Sequence, residues 1–189
     1  MLDPRSRPNP RPAPLLHTLH EHGVDWVLSG SAVLLLYGAD LRPNDLDVVP
    51  SLEPANLRRL ADVLLELEAV PAHHPSMPLE KCLAWTPEPP TAERLDHLFV
   101  TTAGMVDVPP SLTGTYTELL RDATQVRLAG VPVQVCAPEA VLDRLPARPR
   151  QKDLGRAGQY EAVRRVLGRA PRAVPWFSEV GGGAAPDLQ

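Results

Sequence analysis

The sequence predicts an α/β domain, a small mixed sheet flanked by helices, and three stretches carry that expectation. Near residue 30 a short apolar strand runs into a glycine-serine turn and then an apolar helix, while residues 98–107 and 126–135 each read as a β-hairpin. Apolar residues alternating with polar ones mark strands, and apolar runs that stop at a glycine mark helices.

The first of these stretches begins with Asp25-Trp26-Val27-Leu28, a short buried strand, and continues through Ser29-Gly30-Ser31 into Ala32–Tyr37, the apolar face of a helix that stops near Gly38. A glycine at a strand-to-helix junction lets backbone approach a ligand closely. The free N–H groups of the helix start, with the Ser31 hydroxyl, can hold phosphate oxygens. Asn44-Asp45-Leu46-Asp47-Val48-Val49 then reads as a second strand, with Asp45 and Asp47 facing one side and Leu46 and Val48 the other. Two carboxylates on one face repel unless a cation or hydrogen bonds compensate them. Magnesium fits, because it takes one or two carboxylates and completes its shell with water and substrate phosphates; manganese is the alternative ion.

Gly30-Ser31 followed by Asp45-Leu46-Asp47-Val48 resembles the hallmark of the nucleotidyltransferase superfamily related to polymerase beta in residue type, order and spacing. Ser29 departs from it, since a hydrophobic residue is usual there. The surrounding residues, with Ala32, the helix end at Tyr37-Gly38 and Arg42 before the Asp pair, are most similar to the abortive-infection (AbiEii-like) nucleotidyltransferase toxins and their bacterial relatives. The resemblance covers residues 20 to 165 in outline and implies the nucleotidyltransferase fold. It also implies a third metal-binding carboxylate on a neighbouring strand. Asp107 in Gly104-Met105-Val106-Asp107-Val108 is the better candidate, and Asp96, at the entry to the preceding strand Leu98-Phe99-Val100, is the alternative.

Farther on, Val126-Arg127-Leu128, a turn at Gly130 and Val131–Val135 form the second hairpin, and Pro138-Glu139 open a helix through Leu145. Arg150-Gln151-Lys152-Asp153-Leu154 begins another helix and resembles the Arg-x-Lys-Asp stretch of the toxin-like relatives. The resemblance places Arg150 and Lys152 near the nucleotide phosphates; Arg42 and Lys152 are the candidates to neutralise charge that develops on a leaving pyrophosphate. The lysine that commonly precedes this stretch by two helical turns is missing here; the nearest basic residue is Arg144.

The 189 residues predict one compact domain at 15–168, between a Pro-rich flexible arm at 1–14 and a flexible tail at 169–189 that contains Gly181-Gly182-Gly183. Residues 70–90, with six prolines, read as a long loop holding a short strand near Cys82–Trp85. Two isolated cysteines without metal-type spacing, and the lack of a membrane-length apolar run or a signal peptide's apolar core, predict a soluble cytoplasmic protein with no membrane partner. His17, His20, His22 and the His73-His74 pair show no zinc-enzyme spacing, and neither a Walker loop nor a nucleophile elbow occurs. Residues 144–172 carry a formal charge of +7 against −11 for the remainder, a basic segment suited to a polyanion.

The expected activity is Mg-dependent transfer of a nucleoside monophosphate from an NTP to an acceptor hydroxyl. Asp45, Asp47 and Asp107 would be the catalytic and metal residues, and Gly30, Ser31, Arg42, Arg150 and Lys152 the nucleotide-binding ones. The resemblance and the basic segment favour tRNA or another RNA as acceptor and a cognate antitoxin as partner. A small molecule such as an aminoglycoside, or a protein hydroxyl, stays open as acceptor. The alternative outside the enzyme class is a noncatalytic nucleotide-binding or toxin–antitoxin interaction module.

Overall fold

The computed structural model describes residues 2–87, 91, 93, 95, 98–144 and 151–178, apart from the side chain of Lys152. Its centre is a seven-stranded mixed sheet in the order β3-β4-β5-β2-β1-β7-β6. The strands are β1 (Trp26–Ser29), β2 (Leu46–Pro50), β3 (Val70–Pro71), β4 (Leu98–Thr101), β5 (Gly104–Asp107), β6 (Thr124–Leu128) and β7 (Val131–Val135). β1 pairs antiparallel with β2 and parallel with β7, and β2 pairs parallel with β5. The expected α/β architecture is therefore present, with helices α1 (Pro12–Glu21), α2 (Ser31–Leu36) and α3 (Pro54–Glu66) beside the central strands.

Both expected hairpins form. β4 and β5 close through Thr101↔Gly104, and β6 and β7 through Leu128↔Val131. The strand-turn-helix is β1, Gly30 and α2. Leu46, Val48 and Val106 alternate away from the aspartates and join the main core with Leu15, Leu16 and Leu19 of α1 and Leu57, Leu60 and Leu64 of α3.

Helix α3 and the helix at Tyr116–Arg121 are among those that go beyond the sequence expectation. Helix α3 opens on Pro54, whose fixed φ suits a first turn, and buries Leu57, Leu60, Ala61 and Leu64 at helical spacing. Its Asn56 side chain is buried and saturated: the amide donates to the carbonyls of Asp25 and Ser51 at 2.9 Å each, and its oxygen accepts from Asp25 N at 2.8 Å. That residue ties the start of β1 to the end of β2. Helix α5 (Tyr116–Arg121) begins with a capping box, in which Thr115 N donates to Glu118 Oε2 and Glu118 N to the Thr115 hydroxyl.

At the periphery one expectation is corrected, and both terminal segments among the described residues lie against the sheet domain. Cys82 and Leu83 lie in helix α4 (Leu79–Leu83) rather than in a strand, because Pro78 starts a helical turn; the edge strand is Val70–Pro71 instead. Residues 2–11 form neither helix nor strand yet are docked, with a turn at Pro4-Arg5, Pro4 and Pro10 buried, and Arg11 N donating to Ala103 O at 2.8 Å. At the other end, residues 170–178 return to the domain. Arg172 N donates to Leu36 O at 2.9 Å, and the 3-10 turn Pro175–Phe177 buries Phe177 to 1% exposure. Residues 170–178 thus pack against the domain, and the triple-glycine segment lies outside the described residues.

The remaining helices are α6 (Pro138–Asp143), α7 (Gln151–Gly155) and α8 (Ala157–Arg164). Tyr160 and Val163 of α8, Leu142 of α6, and Leu34 and Ala39 form a second apolar cluster against α2. No helix among the described residues is long and apolar enough to cross a membrane.

Because Phe177 is a core residue rather than part of a tail, Phe177→Ala should lower unfolding stability by about 3–5 kcal/mol, the usual cost of emptying a buried aromatic site. Urea unfolding measures it. An unpacked tail would leave the midpoint unmoved.

Candidate functional site

The site is built from register. Ser29, the last residue of β1, lies opposite Asp47 of β2, and Asp47 is the parallel partner of Asp107, the last residue of β5. Paired residues present their side chains to the same face of a sheet, so Ser29, Asp47 and Asp107 form one row across three strands. Asp47 is buried and Asp107 half-buried.

Gly30 follows immediately and caps α2. Its φ of 68° and ψ of −153° fall in a region that is essentially restricted to glycine. A Cβ added at Gly30 would fall on the Asp47 carboxylate. Glycine is therefore required twice here, by backbone conformation and by the side chain that occupies its missing Cβ position. The sequence assigned the residue to a ligand approach; the structure gives it the Asp47 carboxylate as neighbour. Ser31 is half-buried at the first helical position beside it.

Asp45 departs from its expected place. It sits in a bend before β2, and the strand begins at Leu46. The reason lies in the neighbours: β1 turns off into α2 after the Ser29↔Asp47 pair, so no β1 residue remains to extend the ladder to Asp45. Among the described residues no three His, Cys, Asp or Glu side chains converge into a group able to hold a metal. The structure brings together Gly30, Asp47 and Asp107, places half-buried Asp45 at the strand entry, and leaves Arg42 exposed on the connection between α2 and β2. Lys152 belongs to α7, while Arg150 and the alternative carboxylate Asp96 lie outside the described residues.

Asp153, beside Lys152, is only 5% exposed, and Tyr160 donates its hydroxyl to Asp153 Oδ1 at 3.5 Å. The Arg-x-Lys-Asp stretch is thereby joined to α8, which is itself fastened near the site connection through Asp40 N donating to Gln159 Oε1 at 2.6 Å. A cleft of about 390 Å³ opens between the end of α2, the start of α6 and residues 168–171, lined by Tyr37, Glu139 and Arg169 among others, and by none of the predicted site residues.

Sequence reasoning missed what lies beside the carboxylates. Ser29, fully buried, shares a hydrogen bond with Thr113 between hydroxyl oxygens 2.9 Å apart, and the Cys136 thiol donates to Ser29 Oγ at 3.8 Å. These partners satisfy the Ser29 hydroxyl. Cys136 extends the polar row toward β7, its backbone N donating to Leu28 O at 3.0 Å. The polar residue within an apolar strand was the sequence signal for such a network. Its partners, 84 and 107 positions away, carried no local signal.

With the geometry in place, the comparisons bear on the fold. The chain is similar to the crystal structure of an antigenic nucleotidyltransferase-like protein from Paracoccidioides brasiliensis, with a TM-score of 0.50 and 15% identity over 80% of this chain and 72% of that one. The solution structure of the antibiotic-resistance factor ANT(2'')-Ia gives a TM-score of 0.46 and 13% identity, over 80% of this chain and 84% of that one. The first likeness establishes a nucleotidyltransferase-like fold. No protein-family model and no curated protein matches the chain.

Burial pushes the Cys136 thiol up to about 11, against hydrogen bonds from Ser29 and Thr113 that favour the thiolate, and the Asp47 charge adds to the rise. A thiol whose folded pKa lies above its unfolded value stabilises the fold fully below the unfolded value and loses that contribution as pH rises. Stability should therefore fall between about pH 9 and 11. Denaturant midpoints across that window should fall less steeply in Cys136→Ser than in wild type; identical slopes would place the thiol outside the buried network.

Proposed function

We propose that this protein transfers a nucleoside monophosphate from an NTP to an acceptor hydroxyl with release of pyrophosphate. The observation that carries the reading is the Gly30 junction backed by Asp47, itself in register with Asp107, on a nucleotidyltransferase-like fold.

Magnesium, or manganese in its place, is the ion the fold implies. The donor set fits it: two hard carboxylates in register on neighbouring strands, for an ion that takes one or two carboxylates and completes its shell with water and phosphate. A cluster of three protein carboxylates is not a requirement of such an ion. Asp47 and Asp107 would hold it, with Asp45, at the strand entry two residues before Asp47, adding negative charge. When bound, the ion neutralises phosphate charge and makes the acceptor hydroxyl a better nucleophile.

The chain's own residues supply the rest. The Gly30-Ser31 junction orients the triphosphate, with the Ser31 hydroxyl as a hydrogen-bonding group. Arg42, Arg150 and Lys152 oppose the negative charge that grows on the departing pyrophosphate. Asp47, held against Gly30, cannot swing away from the phosphate site without losing its packed position. Catalysis of this kind depends chiefly on positioning and electrostatics, so a carboxylate fixed by packing is well suited to it.

For the acceptor we propose RNA. Support comes from exposed Arg164, Arg165, Arg169 and Arg172, which continue the basic segment from α8 onward, and from the resemblance of residues 27–49 and 150–153 to the abortive-infection toxins, whose pairing with an antitoxin is the partner this reading proposes. Arg164 already has a partner in Glu161 at 2.6 Å, leaving Arg165, Arg169 and Arg172 as the more available charges.

Labelled NTPs offered with an RNA pool and magnesium test both parts. Asp47→Asn and Asp107→Asn should stay folded by circular dichroism and lose transfer by on the order of 10²-fold or more. Arg165→Glu with Arg169→Glu should weaken RNA binding and flatten its salt dependence while sparing NTP affinity, because fewer counterions are released. Ordinary turnover in both Asn variants rejects the site. RNA binding insensitive to salt and charge reversal rejects RNA as acceptor.

A further inference from the structure

We propose that residues 2–11 form a strap that positions Asp107, with Arg7 as the residue that fastens it; the consequence for turnover rests on the reading of Asp107 as part of the transfer site. The need for a strap follows from the sheet. β5 is tied to β2 by only two register pairs, Leu46↔Val106 and Asp47↔Asp107. On its other side lies β4, bordered in turn by the two-residue edge strand β3. The hairpin that presents Asp107 is thus held on one side by a short overlap and on the other by a narrow margin of sheet.

The N-terminal segment grips that hairpin at several points. At its tip, Arg11 N donates to Ala103 O at 2.8 Å and the Arg11 guanidinium to Thr102 O. Gly104, with φ of 96°, leaves room for the strap itself: a Cβ there would fall on the Asn9 carbonyl and on Pro10 Cα. At the edge, the Arg7 guanidinium donates to the carbonyls of Pro4 at 2.9 Å, Ser6 at 2.7 Å and His73 at 2.6 Å. His73 N returns a bond to Pro4 O at 2.7 Å. One planar fork therefore folds the strap onto itself and onto the chain that leaves β3.

Beyond Arg7 the strap reaches the functional face. Leu2 packs with Ala72, Val100 and Met105. Val100 pairs with Met105, and Leu98 with Asp107, so by strand alternation all four project from the same face of the hairpin. The apolar end of the strap thus rests on the face that carries Asp107, two residues along β5 from the carboxylate. Its other end holds the hairpin tip. A segment anchored at both places restrains the rotation of β5 that would turn Asp107 away from Asp47.

Hydrogen exchange and steady-state kinetics on the full-length chain test this with Arg7→Ala, Arg7→Lys and Leu2→Ser. Peptides covering 102–107 should exchange about tenfold faster in Arg7→Ala and Leu2→Ser, while those of β1 and β7 stay as in wild type, since local opening is set by local contacts. Arg7→Lys should recover part of the protection, because an ammonium cannot reproduce the planar fork. kcat for transfer should fall about tenfold or more with the NTP KM unchanged, the signature of a displaced catalytic group rather than lost binding. Unchanged exchange at 102–107, faster exchange throughout the molecule, or faster local exchange with wild-type kcat would each overturn the proposal. A wild-type chain that transfers nothing would sink the functional reading, and faster exchange at 102–107 would still establish the strap's hold on the hairpin.

Discussion

The arrangement of this molecule depends on one shared volume: the place where Gly30 lacks a side chain is the place where the Asp47 carboxylate sits. From that constraint the neighbouring features follow. β1 must end at Ser29 and turn through a glycine-only conformation, so α2 begins at Ser31. β2 then has no β1 residue left to pair beyond Asp47, which sets its start and leaves Asp45 in the bend. Asp47, fixed from one side by Gly30, is flanked on the other by Asp107. Asp47 is thereby confined between its two neighbouring strands, with little freedom to change its position.

Beside the carboxylates lies a second, uncharged layer. Ser29, Thr113 and Cys136 satisfy one another, so the strand that delivers Gly30 carries a polar residue at its buried end without an orphaned hydroxyl. Such a network restrains its members more strongly than apolar contact alone, since losing one partner strands the others in a low-dielectric setting. The loop between β5 and α5 is drawn in through Thr113, and the capping box at Thr115 then starts α5. Carboxylate row and polar layer are therefore held from both ends of β1.

The sequence made the central elements legible because their signals are local. The apolar run Leu98–Val100 with its turn to Gly104, and the alternation in 126–135, sufficed for the two hairpins, and the Gly-Ser junction with its flanking apolar runs sufficed for β1 and α2. Asp47 and Asp107 were legible as candidates, whereas their register was not, since pairing of β2 with β5 is a long-range choice. What local reading missed has identifiable causes. Helix α3 was announced by Pro54 and its apolar spacing, and α5 by Thr115 and Glu118. The proline-rich N-terminal segment reads as unpacked by composition, yet Pro4 and Pro10 are buried and Arg7 and Arg11 bond to carbonyls that no sequence pattern marks. Phe177 lies close to a glycine run that suggests a tail, and burial, which composition does not report, decides its role.

The most direct measurement of the central claim is a double-mutant cycle between Gly30→Ala and Asp47→Ala, read as unfolding free energies. In the wild-type background Gly30→Ala should cost several kcal/mol, about 1–3 from backbone strain and about 1–3 from displacing the carboxylate. With Asp47 already truncated, only the backbone strain should remain, giving a coupling of about 1–3 kcal/mol. Additive effects of the two substitutions would contradict the account, because residues that do not share space have no reason to couple.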